Sequence, residues 1–192
     1  MHRLMLAAAL ALAVSPAAAN TITVTPTPTV TGDGPYTWAY AVGLFGDSTI
    51  NLGDFFTILD FDGLVAGSQS VEPGWAASSS ALGTCPATPL YTVLCAGFDD
   101  PTVPNLTWTR TGAPILGPGA DQRVLLGTFT AQSIYNHPIN DGWVSQDQDN
   151  QTGTPQEPAA GGTNVPQVPE PASLLLLGSG LAASAWRRRR AA

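Results

Sequence analysis

Acidic side chains are the groups in this sequence whose spacing suits acid–base chemistry. Asp60 and Asp62 lie two residues apart, so on a continuous strand both would project from one face, about 7 Å apart. Such carboxyl groups could form the catalytic pair of a glycoside hydrolase. Asp62-Gly63 is also a strong turn signal, which favours a strand end with solvated acids. We therefore expect no catalytic residue here. A hydrolase is the weakest of the three functional hypotheses for this sequence, and the other two are given below.

Histidine and cysteine offer little further chemistry. His137 could act as a general base only for a nucleophile, and the sequence has no Gly-x-Ser-x-Gly elbow to supply a serine. Because Pro138 follows it, His137 is predicted to be a solvated turn residue. Cys85 and Cys95 are the only cysteines. In an exported chain they predict a disulfide, with two free thiols in catalysis or metal binding as the alternative. His2 lies in the expected signal peptide described below, so the mature chain has one histidine and two paired cysteines, too few ligands for zinc.

Two further acidic stretches could bind Ca²⁺. Residues 147–150, Asp-Gln-Asp-Asn, resemble part of a calcium loop but lack the glycine and the terminal glutamate of an EF-hand. Asp99-Asp100 forms a second acidic pair. We expect weak Ca²⁺ binding by an acidic surface at most, and no bound cofactor or dedicated metal site.

Aromatic residues suggest the second functional hypothesis, a carbohydrate-binding module, because exposed rings stack on sugars. We expect most tryptophans to be buried. Trp75 follows Pro73-Gly74 and Trp143 follows Asp141-Gly142, so these two are expected to be the more exposed. They are the candidates for a sugar-binding face.

Charged residues are scarce, at 11% of 192 residues, against roughly 25% in an ordinary soluble domain. The sequence contains no lysine, and five of its seven arginines lie close to a terminus. From Asn20 to Pro169, two arginines stand against thirteen acids, a net charge of −11. Nothing basic is available there to neutralise phosphates, which excludes an electrostatic nucleic-acid binder.

The N-terminus has the three parts of a secretory signal peptide. A short basic start is followed by an apolar stretch over residues 4–14, too short to span a membrane, and then by small residues. We expect residues 1–19 to direct export through the Sec machinery, with cleavage between Ala19 and Asn20.

The C-terminus has the composition of a marginal membrane anchor. Residues 172–186 contain no charge, but as a helix they would rise about 22 Å, short of the roughly 30 Å hydrocarbon core. An interfacial tryptophan and cytoplasmic arginines would stop the transfer of this segment and place the acidic interior outside. These residues are Trp186, Arg187, Arg188, Arg189 and Arg190.

Val168-Pro169-Glu170-Pro171, the leucine-rich segment and the terminal arginines, in that order, resemble the PEP-CTERM sorting signal of Gram-negative bacteria. The resemblance covers residues 168–192. It implies transient anchoring in the inner membrane and processing by an exosortase, a membrane-embedded transpeptidase-like enzyme. A final place at the cell surface or outside the cell, in association with exopolysaccharide or biofilm, is also implied. The leading hypothesis is therefore a non-enzymatic surface or matrix protein.

Short strands separated by Gly- and Pro-rich turns predict an all-β domain, a single β-sandwich over residues 20–144. Residues 21–31 are expected to be an extended lead-in or edge strand. Residues 145–167 have no aromatic side chain and are rich in Gln, Pro and Gly, which predicts a disordered linker before the sorting signal. Strands are predicted over 36–44, with period-two alternation, and over 54–61, 91–95, 105–109 and 124–131.

Overall fold

The computed structural model describes residues 21–86, 97, 99–149 and 159–169. The described part of the chain is all-β. Its twelve strands are β1 (Thr21–Val24), β2 (Thr29–Thr31), β3 (Tyr36–Gly46), β4 (Ser48–Ile50), β5 (Phe55–Ile58), β6 (Trp75–Ser80), β7 (Asn105–Arg110), β8 (Ile115–Leu116), β9 (Gly119–Ser133), β10 (His137–Gln146), β11 (Gln148–Asp149) and β12 (Ala159–Gln167).

The strands form three antiparallel sheets. In the first sheet, β9 pairs with one edge of β3, while β1 and β2 pair with its other edge. The second sheet has the order β12-β10-β5-β7-β6, and the small third sheet has the order β11-β4-β8. Residues 21–31 are thus edge strands of the first sheet, as the sequence predicts.

One hydrophobic core lies between the two larger sheets. The alternation predicted for β3 is confirmed, because Trp38, Tyr40, Val42 and Leu44 are fully buried. From the second sheet, the Phe56 ring meets the Phe129 ring of β9 edge-on, with ring centroids 4.9 Å apart. This shared core is the arrangement that two packed sheets have in a β-sandwich.

Part of the strand predicted over 54–61 is confirmed as β5, which lies between β10 and β7 and has all four of its residues buried. The strands predicted over 105–109 and 124–131 correspond to β7 and part of β9. The sequence predicts no strand at β4, β6, β8 or β10. It places His137 in a turn, whereas His137 is the exposed first residue of β10. The strand predicted over 91–95 lies outside the described residues.

The prediction of a disordered linker over 145–167 is wrong for its described residues. Strand β10 continues to Gln146, and β12 pairs with β10 over nine consecutive residues. Thr163 and Val165 are fully buried. Although β12 has few large apolar residues, it is held by its pairing with β10 and by these inward side chains. The folded domain therefore extends to Gln167.

Strand β12 is also tied to the N-terminal part of the fold. The backbone N–H of Asn164 donates to the carbonyl of Pro26 at 2.9 Å, and the hydroxyl of Thr163 donates to the carbonyl of Thr25 at 2.8 Å. The hydroxyl of Tyr40 donates to the carbonyl of Asn164 at 3.1 Å. The last described strand is therefore joined to the first sheet and to the β1–β2 connection.

Among the described residues, no helix is long and apolar enough to cross a membrane. The signal peptide and the segment 172–186 lie outside those residues.

Candidate functional site

The end of β12 is fastened to the loop that follows β5. The backbone N–H of Asp62 donates to the carbonyl of Pro166 at 3.2 Å, and the N–H of Val168 donates to Oδ2 of Asp62 at 3.1 Å. We call this set, Asp62 with Pro166 and Val168, the Asp62 clasp. Pro166 is buried, whereas Val168 and Pro169 are exposed. The chain thus leaves the fold at the first residues of the predicted sorting motif.

The loop that carries Asp62 is itself held firmly. Oδ1 of Asp62 accepts the N–H of Gly63 at 2.7 Å, and the hydroxyl of Ser133 donates to the carbonyl of Asp62 at 2.6 Å. Gly63 has a φ of +64°, and an added Cβ there would lie 2.5 Å from the ring of Tyr135. The predicted Asp62-Gly63 turn is confirmed, and its rigidity fixes the carboxylate that faces Val168.

Asp60 and Asp62 do not lie together on one face of a strand. Strand β5 ends at Ile58, and Asp60 takes a left-handed conformation with φ of 49°. The carboxylate of Asp60 accepts the backbone N–H of Asp100 at 3.0 and 3.2 Å. Burial raises the pKa of Asp60 to about 7; the Asp100 N–H opposes this shift.

Further carboxylates surround Asp60 and are held by their own loops. Asp99 accepts hydrogen bonds from Gly83 N–H and from the amide of Asn105. Burial raises the pKa of Asp141, although the Gly142 N–H opposes it, whereas hydrogen bonds from Thr102 lower the pKa of Asp100. Within the described ranges, no three His, Cys, Asp or Glu side chains are grouped to hold a metal ion. Weak Ca²⁺ binding by this surface stays a prediction.

The acidic stretch that begins at Asp147 is partly internal. Asp147 and Ser48 are fully buried, and Asp54 is nearly so. In the described part of the chain, the carboxyl oxygens of Asp147 and the hydroxyl of Ser48 make no hydrogen bond of normal geometry. Burial raises the pKa of Asp147 to about 7, opposed by the neighbouring Ser48 and reinforced by the charge of Asp54. Burial of a carboxyl group without a hydrogen-bond partner costs folding free energy, so this group affects stability.

The expectation that Trp75 and Trp143 are exposed is wrong. Trp75 is 4% exposed and Trp143 is 6% exposed, while Trp38 and Trp108 are fully buried. Trp75 packs edge-on against Phe56 and Phe129 in the core, so the Pro-Gly turn before it leads inward rather than to the surface. These four rings therefore provide no stacking platform for a sugar.

The remaining predicted site residues are only partly covered. Cys85 is half-buried, but Cys95 lies outside the described residues, so the disulfide between them stays a prediction. The cleavage-site residues Ala19 and Asn20 also lie outside. The same holds for Glu170, Pro171, Trp186 and the four terminal arginines.

The structure defines the class of protein: an all-β domain whose last described strand, β12, runs directly into the C-terminal segment. Residues 167–190 match the family model of the PEP-CTERM protein-sorting motif. No curated protein matches the chain, and no solved structure does. The chain therefore carries a PEP-CTERM sorting motif, as the sequence predicts. This motif indicates export, transient membrane anchoring, sorting through an exosortase and subsequent surface localisation.

The matched segment begins inside the folded domain. Gln167 is both the first residue of the match and the last residue of β12, where it pairs with His137. The Asp62 clasp holds the next residue, Val168. Sequence reasoning identified Asp62 as a turn residue and as half of a possible carboxyl pair with Asp60. It missed the contact with Val168, because nothing in the local sequence signals a contact with a residue 106 positions away.

Proposed function

We propose that this protein is a non-enzymatic component of the cell surface or extracellular matrix, delivered through its PEP-CTERM motif and associated with exopolysaccharide. The observation that carries the proposal is the sorting motif at residues 167–190, joined without a spacer to a folded β-domain. Such a chain presents the whole domain outside the cell once the tail has been processed.

The environment of the acidic residues supports a role without catalysis. Both carboxylate oxygens of Asp62 accept backbone N–H groups, and the carboxylate of Asp60 accepts the N–H of Asp100. These contacts position loops. The purified protein should show only background hydrolysis of polysaccharide, and so should a variant in which both residues are replaced by Asn. Hydrolysis by the unaltered protein that disappears in this variant would contradict the non-enzymatic role.

The processing step is tested by mass spectrometry of the protein from cells with and without the exosortase. We expect the intact tail only in cells that lack the enzyme. A mature protein that still carries residues 172–190 in normal cells would contradict sorting by this route. It would then be a single-pass membrane protein.

Association with an anionic polysaccharide should depend on divalent cations. The region from Asn20 to Pro169 carries two arginines and thirteen acids, so it repels a polyanion unless cations bridge the two. We expect co-sedimentation with the native exopolysaccharide in Ca²⁺ and its loss in a chelator. Association unchanged by the chelator would contradict this mode of attachment.

A further inference from the structure

The backbone at the start of the sorting motif is already engaged by the folded domain. The N–H of Val168 is bonded to Asp62, and the carbonyl of Pro166 accepts the N–H of Asp62. Pro169, the first proline of the Pro-Glu-Pro triplet, follows immediately. We propose that the Asp62 clasp restrains the sorting motif, and that release of residues 166–168 from Asp62 precedes recognition by the processing enzyme. This inference rests on the proposed function.

The reason lies in how an extended peptide is bound. Enzymes and receptors that bind an extended segment form hydrogen bonds to its backbone N–H and C=O groups. In the clasp two of those groups on the N-terminal side of Pro169 are taken, and Pro166 is buried. An enzyme cleft that extends from Pro169 toward the domain therefore cannot bind these two backbone groups while they are hydrogen-bonded to Asp62.

Release does not require the domain to unfold. The Gln167–His137 pair is the last of the β10–β12 ladder, and Val168 lies beyond it. Strand ends open at far lower cost than core strands. The carboxylate of Asp62 adds a charge-assisted hydrogen bond at this end, so it sets how often the motif is free.

The first test is a pulse-chase measurement of full-length protein in cells that contain the processing enzyme. Asp62→Ala removes both acceptor oxygens and should shorten the half-time of tail removal roughly tenfold, the shift expected from the loss of one charge-assisted hydrogen bond. Asp62→Asn keeps one acceptor oxygen and should give an intermediate half-time. An unchanged or longer half-time in Asp62→Ala would overturn the proposal.

A matched control separates the clasp from a general loss of acidic charge. Asp100 lies in the neighbouring loop and accepts hydrogen bonds only from Thr102 among the bonds described for its side chain. Asp100→Ala should be processed at the rate of the unaltered protein. Acceleration equal to that of Asp62→Ala would assign the effect to charge and overturn the clasp.

An insertion keeps the proposal testable if Asp62→Ala disturbs its turn. Six Gly and Ser residues placed between Gln167 and Val168 leave β12 and the Val-Pro-Glu-Pro sequence intact but move the motif away from Asp62. The inserted protein should be processed as fast as Asp62→Ala, and Asp62→Ala should add nothing to it. Slow processing of the inserted protein would overturn the restraint.

The failure of this inference and that of the proposed function can be told apart. Pro169→Ala combined with Glu170→Ala should block processing in every background if the motif is the signal. Processing that persists in that variant contradicts the proposed function. Motif-dependent processing that is insensitive to both Asp62→Ala and the insertion contradicts only the clasp.

Discussion

The guanidinium of Arg110 lies over the ring of Trp75, 5.6 Å from the ring centroid. Its Nε and Nη2 donate to the carbonyl of Ala113 at 3.0 and 2.6 Å, and Nη1 donates to the carbonyl of Pro73 at 3.3 Å. Arg110 is one of two arginines between Asn20 and Pro169, and it is only 9% exposed. Half of the positive charge in this region therefore serves the fold and is not presented to a partner.

Arg110→Lys should lower the free energy of unfolding by about 1–3 kcal/mol. Lysine keeps the charge but cannot reproduce a planar group that donates to two carbonyls and covers an indole ring. Urea unfolding monitored by tryptophan fluorescence measures the change. Arg123→Lys is the matched control, because Arg123 is exposed, and it should stay within about 0.5 kcal/mol. Equal losses in the two variants would contradict the structural role of Arg110.

Gly161→Ala tests whether residues 159–167 belong to the folded domain. A Cβ on Gly161 would lie 2.8 Å from the ring atoms of Trp143, which is buried. Thermal unfolding should show a loss of about 1–3 kcal/mol from overpacking. At the exposed neighbour Gly162, a Cβ would meet only the flexible side-chain end of Asn140, at 3.2 Å. Gly162→Ala should therefore cost less, whereas no effect from Gly161→Ala would indicate a free linker.

These strands show which parts of the fold can be read from the sequence. Strand β3 is predictable because large apolar residues alternate with small or polar ones along its length. Strand β12 has Val165 as its single large apolar residue, so no periodic pattern marks it. Pairing with β10 and the fit of Gly161 against Trp143 determine its conformation, and both arise only in the folded domain.

The candidate site divides in the same way. The sorting motif is readable because its recognition depends on a local order of residues, from Val168 to the terminal arginines. The turn at Asp62-Gly63 is readable for the same reason. The contact between Asp62 and Val168 is not, because it requires β5 and β12 to be placed together by β10.

Asp147→Asn should make the stability of the domain less dependent on pH. The pKa of Asp147 rises from an ordinary value of 3.8 to about 7 in the folded protein. The folded state therefore holds a proton that the unfolded state releases, and the stabilisation present below pH 4 is lost as pH rises to about 7. Asparagine has no such charge to bury, so the variant should unfold at a higher temperature than the unaltered protein at pH 8.

The difference for Asp147→Asn should shrink as the pH falls toward 4, where the unaltered protein is protonated at this position. Thermal unfolding at several pH values measures it. Asp100→Asn is the control, because hydrogen bonds from Thr102 lower the pKa of that exposed group and its pH dependence has the opposite sign. A constant advantage of Asp147→Asn from pH 4 to pH 8 would contradict the titration of Asp147.

The exported protein should contain a Cys85–Cys95 disulfide. These are its only cysteines, and an exported chain meets an oxidising compartment. Alkylation of the denatured protein without reductant should add no mass, whereas alkylation after reduction should add two alkyl groups. Two alkyl groups added without reductant would refute the disulfide. Loss of the bridge should cost on the order of 2–3 kcal/mol by loop-closure entropy.

The contacts of Thr163 and Asn164 with Thr25 and Pro26 bear on the timing of export. A chain that crosses the membrane N-terminus first delivers β12 last, yet β12 completes the second sheet and closes over the connection between β1 and β2. The domain can therefore reach its final structure only after the residues next to the sorting motif have emerged. The fold is therefore completed at nearly the same time as the tail reaches the membrane. The chain passes through the export channel before it has the finished fold that would resist translocation.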